Sequence, residues 1–98
     1  MHTLMVLYGQ PTDPEAFRRY YTDTHLPIAQ ALPGAKNLRY TLNLQGPEGD
    51  APFIAKFEAD FDSAEAMGAA LASPEGEAAK ADTANFATGG LEILHYAS

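Results

Sequence analysis

Residues 12–32 read TDPEAFRRYYTDTHLPIAQAL, and whether this stretch is a crossover helix decides what the rest of the chain can be. Its start signals are strong. Thr12 or Asp13 can cap, Pro14 suits the first helical position, and Glu15 completes a capping box with Thr12. Phe17, Tyr20, Tyr21, Thr24 and Ile28 recur at helical spacing and form the stripe expected to face a sheet. Pro27 interrupts the pattern. It lacks the N–H that would reach the Asp23 carbonyl, and it biases Leu26 away from helical geometry. The spacing predicts a first helix that stops near Asp23 and a second that begins with Thr24 as N-cap and Pro27 in its first turn.

Strands flank this stretch. HTLMVLY (2–8) is a continuous apolar run that reads as a strand buried on both faces. NLRYTLNL (37–44) alternates, with Leu38, Tyr40, Leu42 and Leu44 on one face. QGPEGDAP (45–52) is loop by its turn chemistry. FIAKFEADF (53–61) alternates again, Phe53, Phe57 and Phe61 inward and Lys56, Glu58 and Asp60 outward. DSAEAMGAALAS (62–73) predicts a helix capped by Asp62, followed by a Pro74-Glu75-Gly76 turn and a further helical segment over 77–87. LEILHY (91–96) closes the chain as a strand.

The order β-α-β-β-α-β predicts an α+β, ferredoxin-like protomer: one domain over 1–98, a four-stranded antiparallel sheet, and helices on one face. The apolar second face of the first strand argues that something covers it. Arg39, Thr41, Lys56 and Glu58 on the neighbouring strands can pair across strands or across a dimer axis.

Composition narrows the partners. Thirteen acids against six bases leave a net charge of −7, which disfavours nucleic acid. The acids of the second half read as a solvated surface. With no cysteine there is no disulfide, thiolate metal site or Cys nucleophile. No apolar run approaches a membrane span, and MHTLMVLYGQP is too short and uncharged for a signal peptide, so a cytoplasmic location is expected.

His25 is the residue to which chemistry attaches. At a helix N-terminus the local field would push it toward the neutral imidazole that a general base or a haem ligand requires, with Asp23 acting the other way. Equally, it could cap a carbonyl freed by the break. His2 and His95 fall at adjoining strand ends, where a two-histidine metal site is conceivable; no carboxylate has ligand spacing to them. Phosphate loops, G-x-S-x-G, H-E-x-x-H and dinucleotide fingerprints are absent, so no cofactor is expected.

Taken together, VLYGQP (6–11), AFRRYYTDTHLPIAQALPG (16–34), ADFDSAEAM (59–67) and AKADTANFATGG (79–90) resemble the EthD-like proteins of the dimeric α+β barrel superfamily. Tyr21, His25 and Pro27 form the most specific element of the likeness, Y-x-x-x-H-x-P. The resemblance implies a ferredoxin-like protomer that pairs with a second copy through its open sheet face. It also implies a pocket for a small hydrophobic ligand, with His25 in the cleft. Relatives in the wider superfamily include lactone isomerases, polyketide cyclases, cofactor-free monooxygenases and haem-binding proteins, and EthD-like proteins are often labelled reductases.

Two functional readings follow. In the first, an oxidoreductase or an isomerase/cyclase-type enzyme acts on a small apolar or aromatic carbonyl compound. His25 moves the proton, Tyr21 (or Tyr8 or Tyr20) donates to the developing enolate, and Tyr8, Phe17, Tyr20, Tyr40, Phe57 and Phe86 supply the pocket. In the second, the pocket carries a hydrophobic metabolite, or haem with His25 as axial ligand, without turnover.

Overall fold

The computed structural model describes all residues 1–98. Four strands, β1 (His2–Gly9), β2 (Lys36–Thr41), β3 (Phe53–Phe61) and β4 (Leu91–Ala97), form one antiparallel sheet in the order β2-β3-β1-β4. This is the ferredoxin-like arrangement that the order of elements predicts. The register sets Val6 of β1 between Phe57 of β3 and Ile93 of β4, and Tyr8 between Ala55 and Leu91. Leu4, Tyr8, Phe57 and Phe61 are buried on the helix-covered face. The outer face carries Met5 and Leu7, half-buried, with Leu94 and Tyr96 exposed beside them.

On the outer face the charges pair within the chain, along β3 and across to its neighbours. Lys56 Nζ lies 3.1 Å from Glu58 Oε1, Arg39 Nε 3.6 Å from the same oxygen, and the Tyr96 hydroxyl donates to Glu58 Oε2 at 2.9 Å. Glu58 is thereby buried, contrary to the expectation of a solvated acid. Its hydrogen bonds and cationic neighbours outweigh the burial that would raise its pKa, and hold it below the usual carboxylate range.

The region after β1 departs from the sequence expectation. Helix α1 (Pro14–Tyr20) starts as foreseen at Pro14, and of the two candidate caps it is Asp13 that serves, its carboxylate accepting the Ala16 N–H at 3.1 Å. No break follows. A π-helical turn, Tyr21–His25, runs directly into α2 (Leu26–Gln30). Thr24 caps nothing, and Leu26 is helical at φ −57°, ψ −45°, its N–H bonded to the Tyr21 carbonyl five residues back.

The wide turn has a geometric consequence. In an unbroken α-helix, every fourth residue drifts by about 40° around the axis. Here Phe17, Tyr21, His25 and Ala29 are all buried, because the π turn absorbs the drift. Thr24, expected inward, is exposed, and Ile28 is only half-buried. Pro27 lies in the first turn of α2, as expected, one residue beyond Leu26, and its missing N–H leaves the bonding register free to widen.

Helices α3 (Ala64–Ala72) and α4 (Pro74–Asp82) share one residue as hinge. Ser73 ends α3 by donating to the Ala70 carbonyl and starts α4 by accepting the Gly76 N–H at 3.1 Å. The stretch Pro74-Glu75-Gly76 is therefore the first turn of α4 and not a separate turn. Gly76 is needed there, because a Cβ would strike the Ala70 and Leu71 carbonyls. Likewise the α3 cap is Ser63, not Asp62: its hydroxyl accepts the Ala66 N–H at 3.0 Å. No helix is long and apolar enough to cross a membrane.

Candidate functional site

The π turn delivers His25 beneath α4. Its Nδ1 lies 2.9 Å from Oδ2 of Asp82, the last residue of α4, and both side chains are buried. The other carboxylate oxygen of Asp82 accepts from the Tyr20 hydroxyl at 2.6 Å and from the Asn85 amide at 3.0 Å. Burial works to raise the Asp82 pKa, but the three donors outweigh it and hold the group below the usual range. For His25 the balance runs the other way: burial lowers its pKa below 6.5 despite the attraction of Asp82. The pair is a carboxylate accepting from a neutral imidazole rather than an ion pair.

This fixes the tautomer. With its proton on Nδ1, His25 presents a lone pair at Nε2, and the Tyr8 hydroxyl donates to it at 3.5 Å. That contact is long enough to be weak, so the base is only loosely occupied. Burial pushes the Tyr8 and Tyr21 phenols far above the ordinary tyrosine value, which keeps both as neutral donors. The Tyr21 hydroxyl is buried with no hydrogen-bond partner, a state that costs about 1–3 kcal/mol.

Phe86 seals the cluster. Its ring centroid lies 4.6 Å from His25, 5.5 Å from Tyr8 and 5.5 Å from Tyr20, on which it stacks. The segment that carries Phe86 is held against the end of β1 by a glycine pair. The Gly9 N–H donates to the Gly90 carbonyl at 2.9 Å, and a Cβ on Gly89 would strike the Gln10 carbonyl.

An apolar cavity of about 50 Å³ opens between the sheet and α4. Tyr8, His25 and Phe57 are in its wall, together with Leu4, Val6 and Ile93. Of the other aromatics expected in a pocket, Phe17, Tyr20 and Phe86 line a separate depression of about 180 Å³ near Asp13. Tyr40, on β2, packs against Tyr21 and is half exposed. The hydroxyl of Tyr20 is committed to Asp82, which leaves Tyr8 and Tyr21 as the donors near His25.

Asp82 is the site residue that sequence reasoning missed. Asp23, the carboxylate expected to act on His25, is exposed, while the acid that holds the imidazole lies 57 residues downstream. The family likeness of AKADTANFATGG marks the segment that carries Asp82 but does not single out the acid. His2 Nε2 and His95 Nδ1 do meet, 2.8 Å apart, as an exposed hydrogen-bonded pair. No third metal-ligating side chain joins them.

An EthD domain model matches residues 9–90, a span that contains His25, Asp82 and Phe86. The chain is 38% identical over 96 residues to an uncharacterized 11.0 kDa protein of the thcB–thcC intergenic region of Rhodococcus erythropolis, covering 96% of this chain and 91% of that one. A crystal structure of an EthD family protein from Bacillus halodurans superposes with a TM-score of 0.93 at 31% identity, over 100% of this chain and 98% of that one. The fold alone is shared with a hydroxynitrile lyase from Passiflora edulis: TM-score 0.73, 16% identity, 97% and 91% coverage. Several neighbours at 18% identity or below are described as dimeric proteins of ferredoxin-like fold.

Proposed function

The chain belongs to the EthD domain family, and from that premise we propose that it is a proton-transfer enzyme for a small apolar carbonyl compound. One observation carries the reading: a buried neutral histidine in the wall of an apolar cavity is held by a carboxylate at Nδ1 and meets only the weak Tyr8 contact at Nε2, with the Tyr21 ring packed against it. In this mechanism a substrate carbonyl displaces Tyr8 from Nε2. His25 then takes a proton from the carbon next to the carbonyl, and the electron pair of the broken C–H bond moves onto oxygen. Tyr8 and the unpartnered Tyr21 donate to that oxygen as charge builds on it. Return of the proton from His25 to another position completes an isomerisation, with no external oxidant. Asp82 is a positioning residue: it holds the tautomer and stabilises the imidazolium that forms.

No bound cofactor is required by this scheme. The residues do not fit haem, because Tyr8 and Phe86 pack on the imidazole and a cavity of about 50 Å³ has no room for a macrocycle. The cavity is also smaller than the ~150 Å³ that takes a benzene ring, which favours short aliphatic groups over aromatic ones in its enclosed part.

The working unit in this reading is a pair of copies joined through the outer sheet face. Met5, Leu7 and Leu94 supply its apolar contacts, and the charges there are already neutralised in cis. Sedimentation gives the assembly state. The activity is tested by incubating pentan-2-one and cyclopentanone in D2O and following loss of their α-proton signals. The expected result is exchange above the buffer rate that falls about 10²- to 10⁴-fold in His25→Gln. Binding of these ketones without exchange would favour a carrier instead.

A further inference from the structure

Helix α4 and the turn beyond it present Gly76, Ala79, Lys80 and Thr83 to the cavity, at helical spacing. Leu4, Val6 and Ile93 stand among the residues of the sheet side. With His25 neutral, Lys80 is the one charged group in this wall, in a chain whose net charge is −7. Asp82, two residues further on, is absent from the wall; its carboxylate is taken up by Tyr20, Asn85 and His25. Lys80 Nζ lies 3.0 Å from Glu77 Oε1, but both side chains are well exposed, at 44% and 65%. A pair so exposed is held weakly, and Glu77 can give way to another anion.

We propose that Lys80 is an anion anchor, and that the site takes short apolar monoanions. The hydrocarbon lies among Leu4, Val6 and Ile93, and the carboxylate meets Lys80. Resting on the proton-transfer reading above, this narrows the substrate to a short keto acid, its carbonyl near Tyr8 and His25. The Thr83 hydroxyl donates to the Lys80 carbonyl at 2.6 Å, so the Lys80 ammonium is the donor that meets the carboxylate. A neutral chain of the same shape would fill the same apolar space and leave Lys80 with Glu77.

The experiment compares pentanoate with its isosteric neutral amide, pentanamide, by titration of proton–nitrogen spectra read at the backbone amides of Val6, Gly76 and Leu91. Pentanoate is expected to bind about fivefold more tightly than pentanamide at low salt, and the margin should shrink at high salt. Lys80→Met should erase the difference without weakening pentanamide, Lys80→Arg should keep it, and Glu77→Gln should strengthen pentanoate alone. Equal binding of the two in the unaltered protein overturns the anchor, as does a preference for pentanoate that survives Lys80→Met. Either result leaves the cavity a ligand site. If neither probe moves those amides, the substrate-site reading itself falls, and the anchor with it.

Discussion

The imidazole of His25 and the carboxylate of Asp82 meet at 2.9 Å, joining the end of a π-helical turn to the last turn of α4 across 57 residues of sequence. Both members are buried, so each depends on the other to satisfy its polar atoms. A wide turn in one helix and a helix end in another are thus tied to one chemical contact.

Removing the carboxylate tests that tie. Asp82→Ala strands the Tyr20 hydroxyl and the His25 Nδ1–H together, and the expected cost is about 3 kcal/mol or more in a urea unfolding experiment. Asp82→Asn costs less, because its amide oxygen can still accept from Tyr20 and Asn85. Its NH2 then faces His25 Nδ1 and forces the proton to Nε2. Proton-transfer activity should fall about 10²- to 10⁴-fold in this variant even where the fold survives.

Acid should destabilise the protein through His25. Its pKa in the folded chain lies below 6.5, so as pH falls through 6.5 the unfolded chain takes up a proton that the folded chain refuses. Stability is therefore lost below pH 6.5, with a slope of up to about 1.4 kcal/mol per pH unit from this one group, until the folded pKa is reached. Asp82 adds a separate loss at lower pH. Its folded pKa lies below 3.8, and its stabilisation disappears as pH falls through that folded value. Unfolding curves of the parent and His25→Gln between pH 7 and 5 (~ two units, within this window) should diverge, with the variant losing less.

Gly89 is expected to be intolerant of any side chain. A Cβ there meets the Gln10 carbonyl, and backbone cannot yield as a flexible side chain can. Gly89→Ala should destabilise by about 1–3 kcal/mol and shift Phe86 away from His25. Thermal melting measures the first effect, and the ring-current shift on the His25 proton signals measures the second.

Pro27→Ala restores an N–H that the Asp23 carbonyl can accept in ordinary α-helical register. That register would turn the residue 25 side chain away from Asp82. A second, minor set of His25 imidazole signals is the expected outcome, with Pro27→Ala still folded.

The sheet was readable because alternation in 53–61 is a strong local pattern that burial follows at Phe57 and Phe61, whereas alternation in 37–44 located β2 but not its end, which falls at Thr41. The π turn was not, since Pro27 signals trouble in the helix without saying how the chain resolves it. A stop with a Thr24 cap and a widened turn satisfy the same missing N–H, and they differ only in which side chain turns inward. His25 could be picked out by type and by family likeness. Asp82 could not, because nothing local distinguishes a buried carboxylate from the exposed acids around it; only the packing of α4 over the π turn brings it to His25.

The central claim is that His25 is a neutral base whose proton sits on Nδ1 under the hold of Asp82. Long-range proton–nitrogen NMR of the imidazole, followed against pH, reads both features at once. The account predicts an Nδ1–H tautomer at neutral pH, an apparent pKa below 6.5, and a switch to Nε2–H in Asp82→Asn. An Nε2–H tautomer in the unaltered protein, or an imidazole already protonated at neutral pH, would contradict it.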